Sequence, residues 1–259
     1  GAVTKPSKLD TIRIMAFIYE PRCLMSRYLT QLDDELCWFP DPSHALEEPN
    51  GLLAIGGDLS PARLLAAYHK GIFPWNEPHQ PTLWWSPDPR GVIRPDQLHV
   101  GRTLQKIIRR TPFDISVNRA FNEVITACAA PRRTADGTWI SQPMIEAYQQ
   151  LHRLGHAHSI EIWQEGELQA GLYGLSIGRL FCGESMFSRI DNGAKLAMVA
   201  LCRHFARHRG ALIDCQMQNP FLATLGIEEW PRARFLAELA RLGHQPLLAS
   251  CWQEGEISL

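Results

Sequence analysis

Gly210-Ala-Leu-Ile-Asp-Cys-Gln-Met-Gln-Asn219 decides the fold of this chain when it is read with Arg179-Leu-Phe-Cys-Gly-Glu-Ser-Met-Phe-Ser188. Each stretch reads as a short apolar strand carrying polar groups that a purely structural strand does not need. Side chains two apart in a strand share a face, so Asp214 and Gln216 point one way while Ile213 and Cys215 point the other. Glu184, between Gly183 and Ser185 in the second apolar run, is the natural third member if both strands lie in one sheet. Buried carboxylates are costly unless paired or used. Two readings stand side by side here. In one, Asp214 closes a structural hydrogen bond at a strand end and Glu184 pairs with an arginine; in the other, the group carries chemistry.

The elements around this pair follow from periodicity and caps. A helix over Ala194–His208, ended by Gly210, separates the two strands, and a strand, helix, strand connection of that length favours parallel pairing. Ala157 to Trp163, Leu168 to Ser176 and Leu180 to Ser188 read as an antiparallel meander joined by Glu165-Gly166-Glu167 and Ile177-Gly178-Arg179. Upstream, Ser141 caps a helix through Leu154 that Gly155 stops, and a helix over Arg119–Ala129 precedes a basic, polar loop at 131–138 and Trp139. A last helix runs from Pro231 to about Leu242. Near the start, Ser60, Pro61 and Gly71 delimit a helix over 61–70. Ile72-Phe-Pro-Trp-Asn76 and Leu83-Trp-Trp-Ser-Pro-Asp-Pro-Arg90 read as a stiff aromatic wall in place of regular structure, either a packing plug or a pocket. The order of elements predicts an α+β fold, with an N-terminal extension over 1–33, a small N-terminal α/β unit over 34–90 and a larger mixed-sheet domain over 91–259.

Composition excludes several classes. With 259 residues, 45% hydrophobic and 20% charged, the chain is neither disordered nor fibrous. A formal net charge of -1 gives no global pull toward nucleic acid. Seven cysteines without a CxxC pair argue for reduced thiols and a cytoplasmic setting, and Cys182, Cys202 and Cys215 read as core residues. No apolar run reaches the ~18 residues of a membrane helix. Ile14 to Tyr19 faintly echoes a signal peptide, but Pro21-Arg22 stands where a cleavage site belongs; Met25 is an alternative start.

One local feature runs against the neutral charge. In the helical segment Leu98–Arg110, Val100, Leu104, Ile107 and Ile108 fall on one side, and Arg102, Lys106, Arg109 and Arg110 share another face. No acidic residue breaks that row, so repulsion at helical spacing is uncompensated. A solvated face is the plain reading; a polyanion such as a phosphate backbone would remove the penalty. Metal is set aside. His152, His156 and His158, and then His204 and His208, give two pairs at i+4 spacing, but no HExxH glutamate accompanies them, and His204 and His208 suit a helix C-terminus. No GxSxG, P-loop or GxGxxG signals a serine hydrolase or a nucleotide enzyme.

Asn50 to Pro61 (NGLLAIGGDLSP), GIFPW at 71–75, LWWSPDPR at 83–90, GHAHSI at 155–160, LFCGESMFSR at 180–189 and LIDCQ at 212–216 together resemble the leucyl/phenylalanyl-tRNA-protein transferases. The similarity runs from about Trp38 to Pro231. It implies an acetyltransferase-like (GNAT-type) larger domain behind a small domain, and a bacterial cytoplasmic enzyme. The implied reaction moves leucine, phenylalanine or, less readily, methionine from aminoacyl-tRNA to the α-amine of proteins beginning with Arg or Lys, marking them for N-degron degradation. It implies no cofactor or metal and no membrane or DNA partner. Asp214 and Gln216 match the family's catalytic pair and Glu184 a further site residue, in contact with either donor or acceptor. Trp75, Trp139 and Phe181 match donor side-chain positions, and Met186 joins them as a candidate wall. The basic face of Arg102, Lys106, Arg109 and Arg110 matches the tRNA-binding patch. A carboxamide is too weak a base to remove a proton, so Gln216 is assigned to orientation and Asp214 to the charge-bearing role. The rival readings are a non-catalytic RNA-binding scaffold and an acyl-CoA transferase, the latter disfavoured because no RxxGxG loop precedes the Ala194 helix.

Overall fold

The computed structural model describes residues 29–110, 113–130 and 140–259. The apolar segment at 14–19, the start at Met25, most of the 1–33 extension, the 131–138 loop and Trp139 lie outside them. In chain order the elements are β1 (Thr30–Leu32), β2 (Leu52–Gly56), α1 (Pro61–His69), β3 (Phe73–Pro74), β4 (Leu83–Trp85), β5 (Arg90–Ile93), α2 (Arg102–Arg110), β6 (Asp114–Val117), α3 (Phe121–Ala129), α4 (Gln142–Arg153), β7 (Ala157–Gln164), β8 (Glu167–Ile177), β9 (Leu180–Ser188), α5 (Gly193–Arg207), β10 (Leu212–Gln216), α6 (Pro220–Thr224), β11 (Glu228–Trp230), α7 (Arg232–Leu242) and β12 (Gly255–Glu256). The fold is α+β. A four-stranded sheet has the order β1-β2-β4-β3, and an eight-stranded mixed sheet has the order β11-β5-β10-β9-β8-β7-β6-β12.

The expected meander is present as β7, β8 and β9 in antiparallel register, and β10 pairs parallel with β9 through Leu212↔Leu180, Ile213↔Phe181 and Asp214↔Cys182. Two stretches read as an aromatic wall are strands instead: Phe73 and Pro74 pair with Trp85 and Trp84. The sheet tolerates Pro74 because β3 is its edge strand, where a missing N–H breaks no interior ladder. The expected helix at Arg119 begins two residues later, at Phe121. Buried Glu161 accepts the backbone N–H groups of Arg119 and Ala120, both at 3.3 Å, and so holds that segment out of the helix.

Two apolar cores lie on the two faces of the large sheet. One takes Tyr173, Leu175, Cys182 and Leu212 together with α3, α4, α7 and the small sheet. The other takes Leu172, Phe181, Ile213 and Cys215 together with α5 and Leu104 of α2. Cys182, Cys202 and Cys215 are all buried. Strand alternation is interrupted once in β9. The register with β8 shifts between Tyr173↔Ser185 and Gly174↔Gly183, leaving Glu184 as the extra residue of a β-bulge. A side chain at position 174 would collide with the Cys182 carbonyl oxygen, so glycine lets the strands approach there. The bulge flips the alternation, so Phe181 and Met186, five apart, both face the second core, while Glu184 turns to the first.

Candidate active site

The site forms where β9 and β10 part company. Their ladder ends at Asp214↔Cys182, and beyond it the strands are joined by a side-chain bond in which Gln216 Nε2 donates to Glu184 Oε1 at 3.1 Å. Asp214 and Gln216 do face the same way, as alternation predicts. Each is about 1% exposed, and Glu184 is 2% exposed, so all three polar groups are removed from water and must be held by others.

Arg90 holds Asp214. Its Nε and Nη2 donate to Oδ1 and Oδ2 at 2.9 and 2.8 Å, and its Nη1 donates to the Gly71 carbonyl at 2.8 Å. The guanidinium carbon stands 4.4 Å from the centroid of the Phe235 ring and 5.1 Å from that of Phe73. Asp214 Oδ1 also accepts the backbone N–H of Gln216 at 2.8 Å. That bond sits at a second irregularity, between Asp214 and Gln216 in the pairing with β5, and Gln216 adopts a left-handed φ of 64°. A non-glycine residue in this region carries strain. Asp214 therefore fixes the backbone of Gln216, and Glu184 fixes its side chain.

Two tyrosines complete the group. Tyr68 of α1 donates its hydroxyl to Glu184 Oε1, and its oxygen stands 2.5 Å from the Tyr148 hydroxyl of α4. Burial pushes both phenols, and that of Tyr173, well above their ordinary value of 10, so they stay protonated. Gln216 Oε1 and the Tyr173 hydroxyl are buried and make no hydrogen bond among the described residues. A buried amide oxygen without a donor is a place for one. Burial likewise raises the Cys215 and Cys182 thiols, which makes both poor nucleophiles.

Beside these groups lies a pocket of about 400 Å³, its open mouth included, lined by Glu184 and Tyr173 and by Met186, Met198, Leu201, Ile213 and Leu222 among its apolar walls. Of the four residues expected to line a side-chain pocket, Met186 does so. Phe181 is fully buried and packs on Phe205 and Trp252, with ring centroids 6.1 and 5.4 Å away. Trp75 belongs to the other core, edge-on to Trp85 at 5.8 Å. Trp75 does not join Phe181 and Met186 in one wall, because the large sheet separates its core from theirs. Arg102, Lys106, Arg109 and Arg110 are all exposed on α2, whose buried side is Leu104. None of the four makes an ion pair among the described residues.

Sequence reasoning missed Arg90, Tyr68 and Tyr148. For Arg90 there was a signal: a cation opening the apolar run Arg90-Gly-Val-Ile93, with a lone carboxylate in the apolar run around Asp214. The tyrosines sit at ordinary core-facing helical positions and gave none.

A family profile described as "Leucyl/phenylalanyl-tRNA protein transferase" matches residues 92–240, and one described as its N-terminal domain matches residues 57–88. The chain belongs to this family. Membership makes it an aminoacyltransferase. The leucyl/phenylalanyl-tRNA–protein transferase of Aeromonas hydrophila is 86% identical over 91% of this chain and 100% of its own length. Those of Tolumonas auensis and Yersinia enterocolitica are 58% and 54% identical, over 91% and 86% of this chain and 100% and 94% of theirs. A solved structure, "The structure of L-PGS from Bacillus licheniformis", aligns over 79% of this chain and 66% of that one at 11% identity and a TM-score of 0.35. That likeness is too loose to assign a fold. No helix among the described residues is long and apolar enough to cross a membrane.

Proposed function

We propose that the chain transfers leucine, phenylalanine and, less readily, methionine from aminoacyl-tRNA to the α-amine of proteins beginning with Arg or Lys, in the cytoplasm, committing them to N-degron degradation. The observation that carries this reading is the Gln216 carboxamide: Nε2 is held by Glu184, which also lines the apolar pocket, and Oε1 is buried without a donor among the described residues.

The aminoacyl ester is already activated, so the protein has to align two substrates and manage one proton. The amine nitrogen bonds to the ester carbonyl carbon, the bond from that carbon to the tRNA ribose oxygen breaks, and one amine proton ends on that oxygen. Gln216 Oε1 accepts an N–H of the attacking amine and aims its lone pair. Both oxygens of Asp214 are engaged by Arg90, which leaves neither turned toward a substrate amine. Asp214 is therefore a positioning residue for Gln216, and Glu184 takes the charge-bearing role beside the amine. This reverses the assignment drawn from sequence alone. The Met-lined pocket suits unbranched or γ-branched apolar side chains, since methionine walls adapt to Leu, Phe and Met alike. Trp75 and Phe181 remain donor-site candidates from outside the pocket's lining, Trp139 is a further candidate outside the described residues, and Arg102, Lys106, Arg109 and Arg110 grip tRNA phosphates without reading sequence.

The parting of β9 and β10 around a bulge supports an acetyltransferase-like larger domain over 91–259 behind a small domain over 34–90. The test is transfer of labelled leucine from charged tRNA to two peptides, one beginning with Arg and one with Ala, by wild type and Gln216→Ala. Label on the Arg peptide alone, collapsing in the variant, supports the reading. Salt-sensitive tRNA binding without transfer by the wild type overturns it in favour of an RNA-binding scaffold.

A further inference from the structure

At the C-terminal end of α5 the fold gathers three soft donors that the transfer reaction does not use. His204 and His208 stand one turn apart on one side of the helix end, and Cys251 reaches them from the segment between α7 and β12. One donor atom from each residue lies within 4.8 Å of the other two. His204 is 5% exposed and Cys251 1%, while His208 is half-buried and opens the group to solvent.

The hydrogen bonds around the two rings settle which nitrogen of each carries the proton. One ring nitrogen of His204, Nε2, faces the Cys251 carbonyl oxygen at 2.5 Å, and one of His208, Nδ1, faces the His204 carbonyl oxygen at 2.7 Å. A carbonyl only accepts, so each of these nitrogens carries the proton and the opposite nitrogen carries a lone pair. Metal-binding histidines are oriented in this way by their outer partners. The negative end of the helix dipole favours a cation at this position; Arg207, whose Nη1 donates to the Ser258 carbonyl at 2.8 Å, is the nearby opposing charge.

We propose that His204, His208 and Cys251 form a zinc site that fastens the C-terminal segment to α5. Two imidazoles and a thiolate suit Zn²⁺ with water in the fourth position, and bonds of ~2.0–2.3 Å give a tetrahedron whose edges a small rotamer adjustment reaches. Binding forms a Zn–S bond and releases the thiol proton to solvent. Burial pushes the Cys251 thiol up to about 12, so without metal it is protonated and unreactive. Trp252, next to Cys251, stacks on His158 at 4.4 Å and packs on Phe205 at 5.9 Å, so the metal ties down the segment that closes the second core. No local spacing marks this group in the sequence, because Cys251 lies far along the chain from His204 and His208.

The experiment titrates metal-free full-length chain with zinc ions alone against a competing chelating dye. Cobalt in place of zinc reports thiolate ligation by charge-transfer absorption. Wild type should bind one zinc with a thiolate band, and the thermal midpoint should rise on loading. Cys251→Ser and His208→Asn should each weaken binding at least about 10-fold, the loss that removal of even an outer partner produces, and Cys251→Ser should abolish the thiolate band. His208 is half-buried, so its variant gives a result even if Cys251→Ser does not fold. No retained zinc, or equal affinity in wild type and His208→Asn, overturns the proposal.

Discussion

Arg90 and Asp214 meet in a bidentate, fully buried ion pair across 124 positions of sequence, with N–O distances of 2.9 and 2.8 Å. It joins the start of β5 to the strand that carries Gln216. Removing one partner leaves a buried charge without its mate, which is far worse than removing both. Arg90→Met should lower unfolding free energy by about 3–5 kcal/mol in urea titration, and Arg90→Met/Asp214→Leu should recover part of that loss. A double variant worse than the sum of the singles would mean the pair is not the stabilising unit.

Gln216→Ala leaves the Arg90–Asp214 pair intact while removing the carboxamide that Glu184 holds. Transfer turnover to an Arg-initiated peptide should fall by about 10²-fold or more, with tRNA affinity unchanged. Equal losses in turnover and tRNA binding would place Gln216 in donor binding instead of the chemical step.

Met198→Phe should shorten the apolar pocket while leaving Glu184 and Tyr173 of its lining in place. One or two methylene-sized changes discriminate by about 1–3 kcal/mol, so kcat/KM for phenylalanine should drop about 10-fold or more relative to leucine. Parallel steady-state assays with the two charged tRNAs measure the ratio, and an unchanged ratio would move the side-chain site elsewhere.

The four cations of α2 predict a salt dependence. Each phosphate contact contributes about 0.7–0.9 to the slope of log affinity against log salt, so Arg109→Glu/Arg110→Glu should flatten the slope by about one to two units. Turnover with a short aminoacyl-ester analogue of the tRNA 3′ end should hold. A slope that does not change would return α2 to ordinary solvated surface.

His158 governs the acid limb of stability. Burial depresses it from 6.5 to about 3, and its Nδ1 accepts from Asn118 Nδ2 at 3.0 Å, a neutral-ring arrangement. The unfolded chain thus binds a proton that the folded chain refuses in that window. Stability is fully present above 6.5 and is lost as pH falls toward about 3, at up to ~1.4 kcal/mol per pH unit. His158→Gln should show a shallower loss in denaturant titrations across that range.

Much of the site was legible because strand alternation is a strong local rule. It placed Asp214 with Gln216 and brought Glu184 beside them once the parallel connection was inferred. The ion pair was signalled only by a cation and a carboxylate in separate apolar runs, and the same carboxylate satisfies a structural and a catalytic reading until its partner is known. The grouping of the pocket candidates was hidden for a different reason. The bulge at Glu184 inverts the parity of β9, so counting along the strand separates Phe181 from Met186, which in fact share a face. Trp75 belongs to a core across the sheet, a separation that no local pattern records. The short strands β6, β11 and β12 owe their pairing to neighbours rather than to their own composition.

The left-handed turn of the backbone at Gln216 sets two requirements of the chain against each other. Glycine would adopt φ 64° without the crowding of a Cβ, relaxing the strand by about 1 kcal/mol, and it would delete the only group of residue 216 that reaches toward a substrate. At this position the sequence that folds best and the sequence that works are different sequences. Any effort to harden the molecule by relieving backbone strain that reaches residue 216 will there trade activity for stability.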